Sequence, residues 1–264
     1  MRRLSQAAVL GIVLLGAAAT AAAQERPFFV TYSEHLEEKG DLEVSILSTA
    51  GTPKDGGPRY VAPWIELEYG ITSRWTAEFY LEGVNVHDDA SAYTGWRIEN
   101  RVRPFAGDHF LNPVLYIEYE SINEASRIQK EIVGEGGLPD EPVGTLKHDH
   151  AHELEGRLIL SKDVMNWEIA GNLILEKNLS ADEGVEFGYA TGAWRRLHKL
   201  MVGAEVYGGL GATVAGGEET RHFVAPIVGW RFNKKSMVKA SVGFGVTDVS
   251  DRYLVRVGYS IDLW

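Results

Sequence analysis

Apolar and polar residues alternate along this chain with a period of two, and the alternation is cleanest at the C-terminal end. From Asp251 to Trp264, the residues Tyr253, Val255, Val257, Tyr259, Ile261 and Leu263 interleave with Leu254, Arg256, Gly258, Ser260 and Asp262. A period of two sends successive side chains to opposite faces of an extended strand, so this segment is expected to be one. About twelve such segments recur, centred near Val44, Ile65, Phe79, Ile98, Ile117, Leu158, Ile169, Phe187, Val202, Val228, Val242 and Val257. Breaks containing Gly, Asp, Asn and Lys separate them. Apolar residues at i, i+3, i+4 and i+7 are nowhere sustained over three turns, so the chain reads as nearly all β.

The breaks sort into two lengths. Gly70 to Arg74, Ala106 to Asn112, Ser161 to Val164, Arg196 to Lys199 and Asn233 to Ser236 are short. The alternate ones are longer: Gly51 to Arg59, His87 to Ala92, Ser121 to His150, Asn178 to Gly184, Gly211 to Arg221 and Thr247 to Asp251. Short and long connections alternating over an even number of strands, with both chain ends on the short side, predict a closed antiparallel transmembrane β-barrel. Its tight turns would be periplasmic and its longer loops external. A soluble β-sandwich also alternates along its strands and stays open as a second reading, although it has no reason to sort its loops in this way.

The two faces differ in polarity. One carries Ile65, Leu67 and Tyr69, then Trp75, Phe79 and Leu81, Trp96 and Ile98, Leu115, Ile117 and Tyr119, and Trp167, Ile169, Leu173 and Leu175. The opposite face, assigned to the lumen, carries Glu66, Glu68, Glu78, Glu82, Arg97, Glu99, Arg101, Arg103, Glu118, Glu120, Glu153, Glu155, Arg157, Glu168, Glu205, Lys239 and Arg256. Trp and Tyr near the ends of the apolar faces suit the interfacial girdles of a membrane barrel. Pro63 and Pro226 fall inside strands, where bulges or strand ends are expected because proline gives no N–H to the ladder.

The N-terminus reads as an export signal. Arg2 and Arg3 precede an apolar run from Ala7 to Ala19 and the small residues Ala21, Ala22 and Ala23, which makes residues 1–23 a signal peptide. Residues 24–39 then form a polar N-terminal arm, expected in the periplasm, and residues 40–264 the barrel. Removing the signal lowers the formal net charge from −11 to about −13, a balance that argues against nucleic acid as a partner. With no cysteine, disulfides and thiolate chemistry are excluded.

With these features in place, the chain resembles bacterial outer-membrane β-barrel proteins of about twelve strands, similar in plan to the small specific channels and the barrel phospholipase of Gram-negative envelopes. The resemblance covers the whole mature chain and rests on pattern, so it implies an architecture and a site in the outer membrane. The implied partners are outer-membrane lipid and the barrel-assembly and periplasmic chaperone machinery. In such barrels the final aromatic lies on the apolar face, whereas here that face ends at Leu263 and Trp264 falls on the other parity.

Acidic strands around Glu66, Glu78, Glu118, Glu155 and Glu168 flank the strand of Arg97, Arg101 and Arg103, with Arg231, Lys239 and Arg256 near the C-terminus. One reading is ion-pair ladders that pack a narrow barrel; the other is a water-filled passage whose acidic wall and arginine ridge select a small solute or ion. The densest set of possible metal ligands is His148, His150 and His152, which on an extended segment could share Zn²⁺ or Cu²⁺. Parity puts them outside, at the rim of the longest loop. No Gly-x-Ser-x-Gly or His-Glu-x-x-His motif occurs and no cofactor is implied. The expected function is therefore a channel or facilitator for a small solute or ion. The alternatives are a structural or loop-mediated binding barrel and a hydrolase whose Ser, His and acid come from adjacent strands.

Overall fold

The computed structural model describes residues 26–126, 141–182, 184–213 and 220–263. Twelve strands make one closed antiparallel sheet: β1 (Leu42–Thr52), β2 (Tyr60–Thr72), β3 (Trp75–Val86), β4 (Ser91–Val102), β5 (Asn112–Asn123), β6 (His150–Val164), β7 (Trp167–Asn178), β8 (Glu186–Leu197), β9 (Leu200–Ala212), β10 (His222–Arg231), β11 (Ser236–Gly245) and β12 (Tyr253–Asp262). The seam is the pairing of β1 with β12, in which Glu43 faces Asp262 and Thr52 faces Tyr253. Closure removes the two free edges that an open sheet would present in a solvent unable to hydrogen-bond them.

Period-two alternation decides which face each residue takes. Ile65, Leu67, Leu81, Ile98, Leu115, Ile117, Leu173, Val228 and Val257 are exposed on the outer wall. Tyr69, Trp75, Trp167 and Trp230 stand exposed toward the short-turn end of this belt, with Tyr93 and Tyr253 toward the other. Strands of ten to fifteen residues, tilted as barrel strands are, reach across a hydrocarbon layer of about 25 Å. A continuous apolar belt around a closed barrel with a polar interior is the architecture of an outer-membrane β-barrel.

The connections follow the expected sorting with shifted boundaries. β6 continues to Val164, and its tight turn falls at Met165 and Asn166; Met165 has φ +58° and is fully in solvent. The longest connection holds one helical turn, α1 (Val143–Leu146), an element the all-β expectation lacked. Val143 and Leu146 are buried in one apolar cluster with Tyr60, Val84 and Val86, and the Asp89 carboxylate accepts the Val143 N–H at 2.7 Å.

Neither proline creates the anticipated bulge. Pro63 keeps its pairing with Ser48 on β1, and Pro226 keeps its pairing with Ala204 on β9. Toward β3 and β11 the ladder skips a step and resumes in the same register, from Val61↔Asn85 to Trp64↔Glu82 and from Val224↔Phe244 to Ile227↔Ser241. A missing N–H costs a bond on one side of a strand only, so the intact side holds the register. Register shifts occur instead at Gly70/Thr72, Glu82/Gly83 and Phe187/Gly188.

Candidate functional site

The barrel interior is occupied. The segment expected as an arm in the periplasm is lodged inside the lumen, where Phe28, Val30, Thr31, Tyr32, Ser33, His35 and Glu37 are buried. Among the described residues this extended stretch has no partner strand, and luminal side chains take up its backbone groups. The Glu205 carboxylate accepts the N–H groups of Phe29, Val30 and Thr31 at 3.3, 3.0 and 2.9 Å. Asn172 accepts from Tyr32 N–H and donates to Tyr32 C=O, both at 2.7 Å. Ser161 accepts the Glu34 N–H and Thr76 the Glu37 N–H. Cations serve the carbonyls: Lys239 donates to Phe28 C=O at 2.6 Å, Arg157 to Val30 C=O at 3.0 Å and Arg101 to His35 C=O at 3.0 Å. Buried backbone must be paired, and each of these side chains stands in for a neighbouring strand.

Two glycines make the space. A Cβ on Gly192 would lie 2.5 Å from the Phe28 ring, and one on Gly70 would lie 1.9 Å from the Glu38 carbonyl oxygen. Gly70 also anchors the exit of the arm, accepting from Gly40 N–H at 2.7 Å and donating to Asp41 C=O at 3.0 Å.

The residues assigned to the lumen from sequence lie on the inner wall. Glu66, Glu68, Glu78, Glu82, Arg97, Glu99, Arg101, Glu118, Glu120, Glu153, Glu155, Arg157, Glu168, Glu205, Lys239 and Arg256 are buried. Arg103 is half-buried just past β4 and donates to the Glu34 C=O. The pairing register arranges the acids in a way their sequence positions conceal. Asp262 faces Glu43, Glu43 faces Glu68, Glu68 faces Glu78, Glu78 faces Glu99, and Glu99 faces Glu118. Glu118 then faces Glu155, Glu155 faces Glu176, and Glu176 faces Glu186. The row crosses nine neighbouring strands, from the last residue of β12 at the short-turn end to the first of β8 at the long-loop end, climbing as the strands tilt.

Like charges directly opposite one another are destabilising, and the middle of the row is offset by guanidiniums. Arg101 pairs with Glu68, Glu78 and Glu99. Arg26, from the arm, reaches Glu66 at 2.7 Å and Glu78 at 3.0 Å. Arg97 lies 3.4 Å from Glu118 and 3.6 Å from Glu82, and Arg157 binds Glu155. The Tyr32 ring sits among Arg26, Arg101 and Arg157, each within 5.2 Å of its centroid, and its hydroxyl donates to Glu99 at 2.9 Å. Lower down, His35 bonds Glu168 at 2.7 Å.

The alternation was not used to place the aromatics Trp64, Tyr80, Tyr116, Tyr207 and Phe223, which are buried on the inner face among the charges. Their signal was present as bulky residues on the polar parity. Nor did it reveal the arm, whose Phe28, Val30 and Tyr32 alternate as a strand would. His148, His150 and His152 are exposed, as parity placed them; the His152 ring stacks on Tyr119 and its Nδ1 bonds that hydroxyl at 2.8 Å. The signal peptide and Trp264 lie outside the described residues.

The chain is similar to known structures. An outer membrane channel from Pseudomonas putida F1 superposes with a TM-score of 0.57 at 10% identity, over 91% of this chain and 100% of that one. The translocator domain of the autotransporter NalP from Neisseria meningitidis gives 0.46 at 14% identity, covering 97% and 95%. Outer membrane phospholipase A from Escherichia coli gives 0.43 at 9% identity, covering 86% and 94%. No family model and no curated protein sequence matches the chain.

Proposed function

We propose that this barrel passes a small cationic or zwitterionic solute or ion along its acidic row, and that the N-terminal arm closes the path by filling it. The reading is carried by the row itself, an unbroken register of carboxylates from one mouth to the other. Packing alone would not call for such continuity, since each facing pair repels. In a confined passage these charges are screened less than on an open surface, and they raise the local cation concentration. The arm is suited to withdrawal, because its backbone is held by side chains rather than by a continuous ladder, and Arg26 carries the charge that neutralises the row when the arm is seated. The channel character of the Pseudomonas putida neighbour is in keeping with this role.

Planar-bilayer recordings test the proposal. The intact mature protein should be silent or open briefly, whereas deletion of residues 26–38 should give steady, cation-preferring conductance. Neutralising Glu78 and Glu118 in the deleted form should reduce that preference. A deletion variant that inserts and folds but stays silent would leave a structural or binding barrel as the better account.

A further inference from the structure

We propose that a cavity between the seated arm and strands β2 to β6 binds a small zwitterion, a molecule of about the size of glycine that carries one carboxylate and one ammonium group. The cavity measures about 50 Å³, and Phe29, Val30 and Tyr32 of the arm form one side of it. At about 10–15 Å³ for each enclosed water, that is room for about four waters or for one molecule of similar bulk. This names the solute for the passage proposed above, and its part in transport rests on that reading.

One part of the wall suits an ammonium group. Four of the aromatic rings that line the cavity already hold side-chain cations: Arg97 lies over Tyr80, Arg157 over Tyr116, Lys239 over Phe29, and three guanidiniums over Tyr32. Trp64 lines the same cavity, and among the described residues no side-chain cation lies over its ring. Its Nε1 donates to Glu66 at 2.9 Å, so an aromatic ring and a carboxylate stand side by side there. A ligand cation is attracted to both.

Another part suits a carboxylate. Arg97 is buried, its Nη1 reaches Glu118 at 3.4 Å and its Nε lies 3.6 Å from Glu82, while Nη2 makes no hydrogen bond among the described residues. The Tyr116 hydroxyl makes none either, although its ring is buried under Arg157. Both side chains line the cavity. A guanidinium and a phenol with donors to spare can hold a carboxylate.

The mixture of signs selects the class of ligand. A purely cationic solute would meet Arg97 and Arg157 in this wall, and a purely anionic one would meet Glu66 and Glu155. A zwitterion presents a counter-charge to each set, so neither end faces only like charges.

Equilibrium dialysis of labelled glycine against the intact mature protein, folded in detergent at neutral pH, is the test. Saturable binding is expected, at least tenfold tighter than that of acetate or methylammonium, which carry one charge each. Because the arm forms one side of the cavity, bound glycine must also favour the seated arm. Chymotrypsin cleavage at Phe28, Phe29 and Tyr32 should therefore slow about elevenfold at about ten times the dissociation constant. Arg97→Gln should weaken binding at least tenfold; heat-modifiable gel mobility establishes that it is folded, and Tyr116→Phe replaces it if it is not. Absence of saturable binding to the intact protein would overturn the site, as would equal affinity for acetate or methylammonium, or undiminished affinity in the folded variant. Glycine binding alongside a silent form lacking residues 26–38 would keep the site and sink the passage. Conductance in that form without glycine binding to the intact protein would do the reverse.

Discussion

At the scale of single residues, the interior works by substitution of one group for another. Glu205, Asn172, Ser161 and Thr76 do for the arm what a neighbouring strand would do with its backbone, and Gly192 does its part by having no side chain. Because Phe28 occupies the space a larger residue would need, Gly192→Leu should unseat the upper arm while the barrel stays closed. Overpacking of this kind costs about 1–3 kcal/mol, which corresponds to a local opening about five- to 150-fold more populated. Chymotrypsin cleavage at Phe28, Phe29 and Tyr32 should accelerate to match, and an unchanged cleavage rate would show that the ring does not need this space.

At the scale of elements, the arm is the piece whose stability depends on pH. Burial pushes the Glu37 carboxyl up to about 8, with Glu43 of β1 and Asp262 of β12 adding to the rise and Arg101 of β4 opposing it. Glu78 of β3 adds a smaller upward push, and Glu68 of β2 and Glu37 repel one another. A folded-state value raised above the ordinary carboxylate range means that the seated arm binds a proton the released arm gives up. The resulting stabilisation is complete below the ordinary value of 4.5 and is lost as pH rises through about 8. Arm cleavage, or conductance of the intact protein, should therefore increase between neutral pH and about pH 9, and Glu37→Gln should flatten that rise. A profile identical in the variant would assign the dependence to other groups.

At the scale of the whole molecule, the barrel is a lipid-facing cylinder with unequal ends. All short turns lie at the end where β1 begins and β12 finishes, and the long connection between β5 and β6 lies at the other. If the short turns face the periplasm, as tight turns do in barrels of this type, protease added to intact cells should cut within residues 121–150 and spare the turn at Asn233–Ser236. The reverse pattern would invert the barrel. With the short turns facing the periplasm, Glu37 lies toward the periplasm.

The local pattern of this sequence was enough to determine the strands, the face each residue takes and the sorting of the turns, because a period of two is a property of each strand by itself. Ile65, Ile117 and Leu173 face outward, and Glu78, Glu118 and Arg101 inward, for that reason alone. Contacts between strands were decided only by the closed sheet. Residues as distant as Glu43 and Asp262, or Glu68 and Glu99, enter one continuous row because register and tilt bring them there. The seating of the arm was likewise beyond local reading: residues 26–40 look like a polar leader until Glu205, Asn172 and Gly192, contributed by three neighbouring strands, converge to receive them. Alternation reports which side of the wall a residue lies on, and the tertiary structure decides what else occupies the space within that wall.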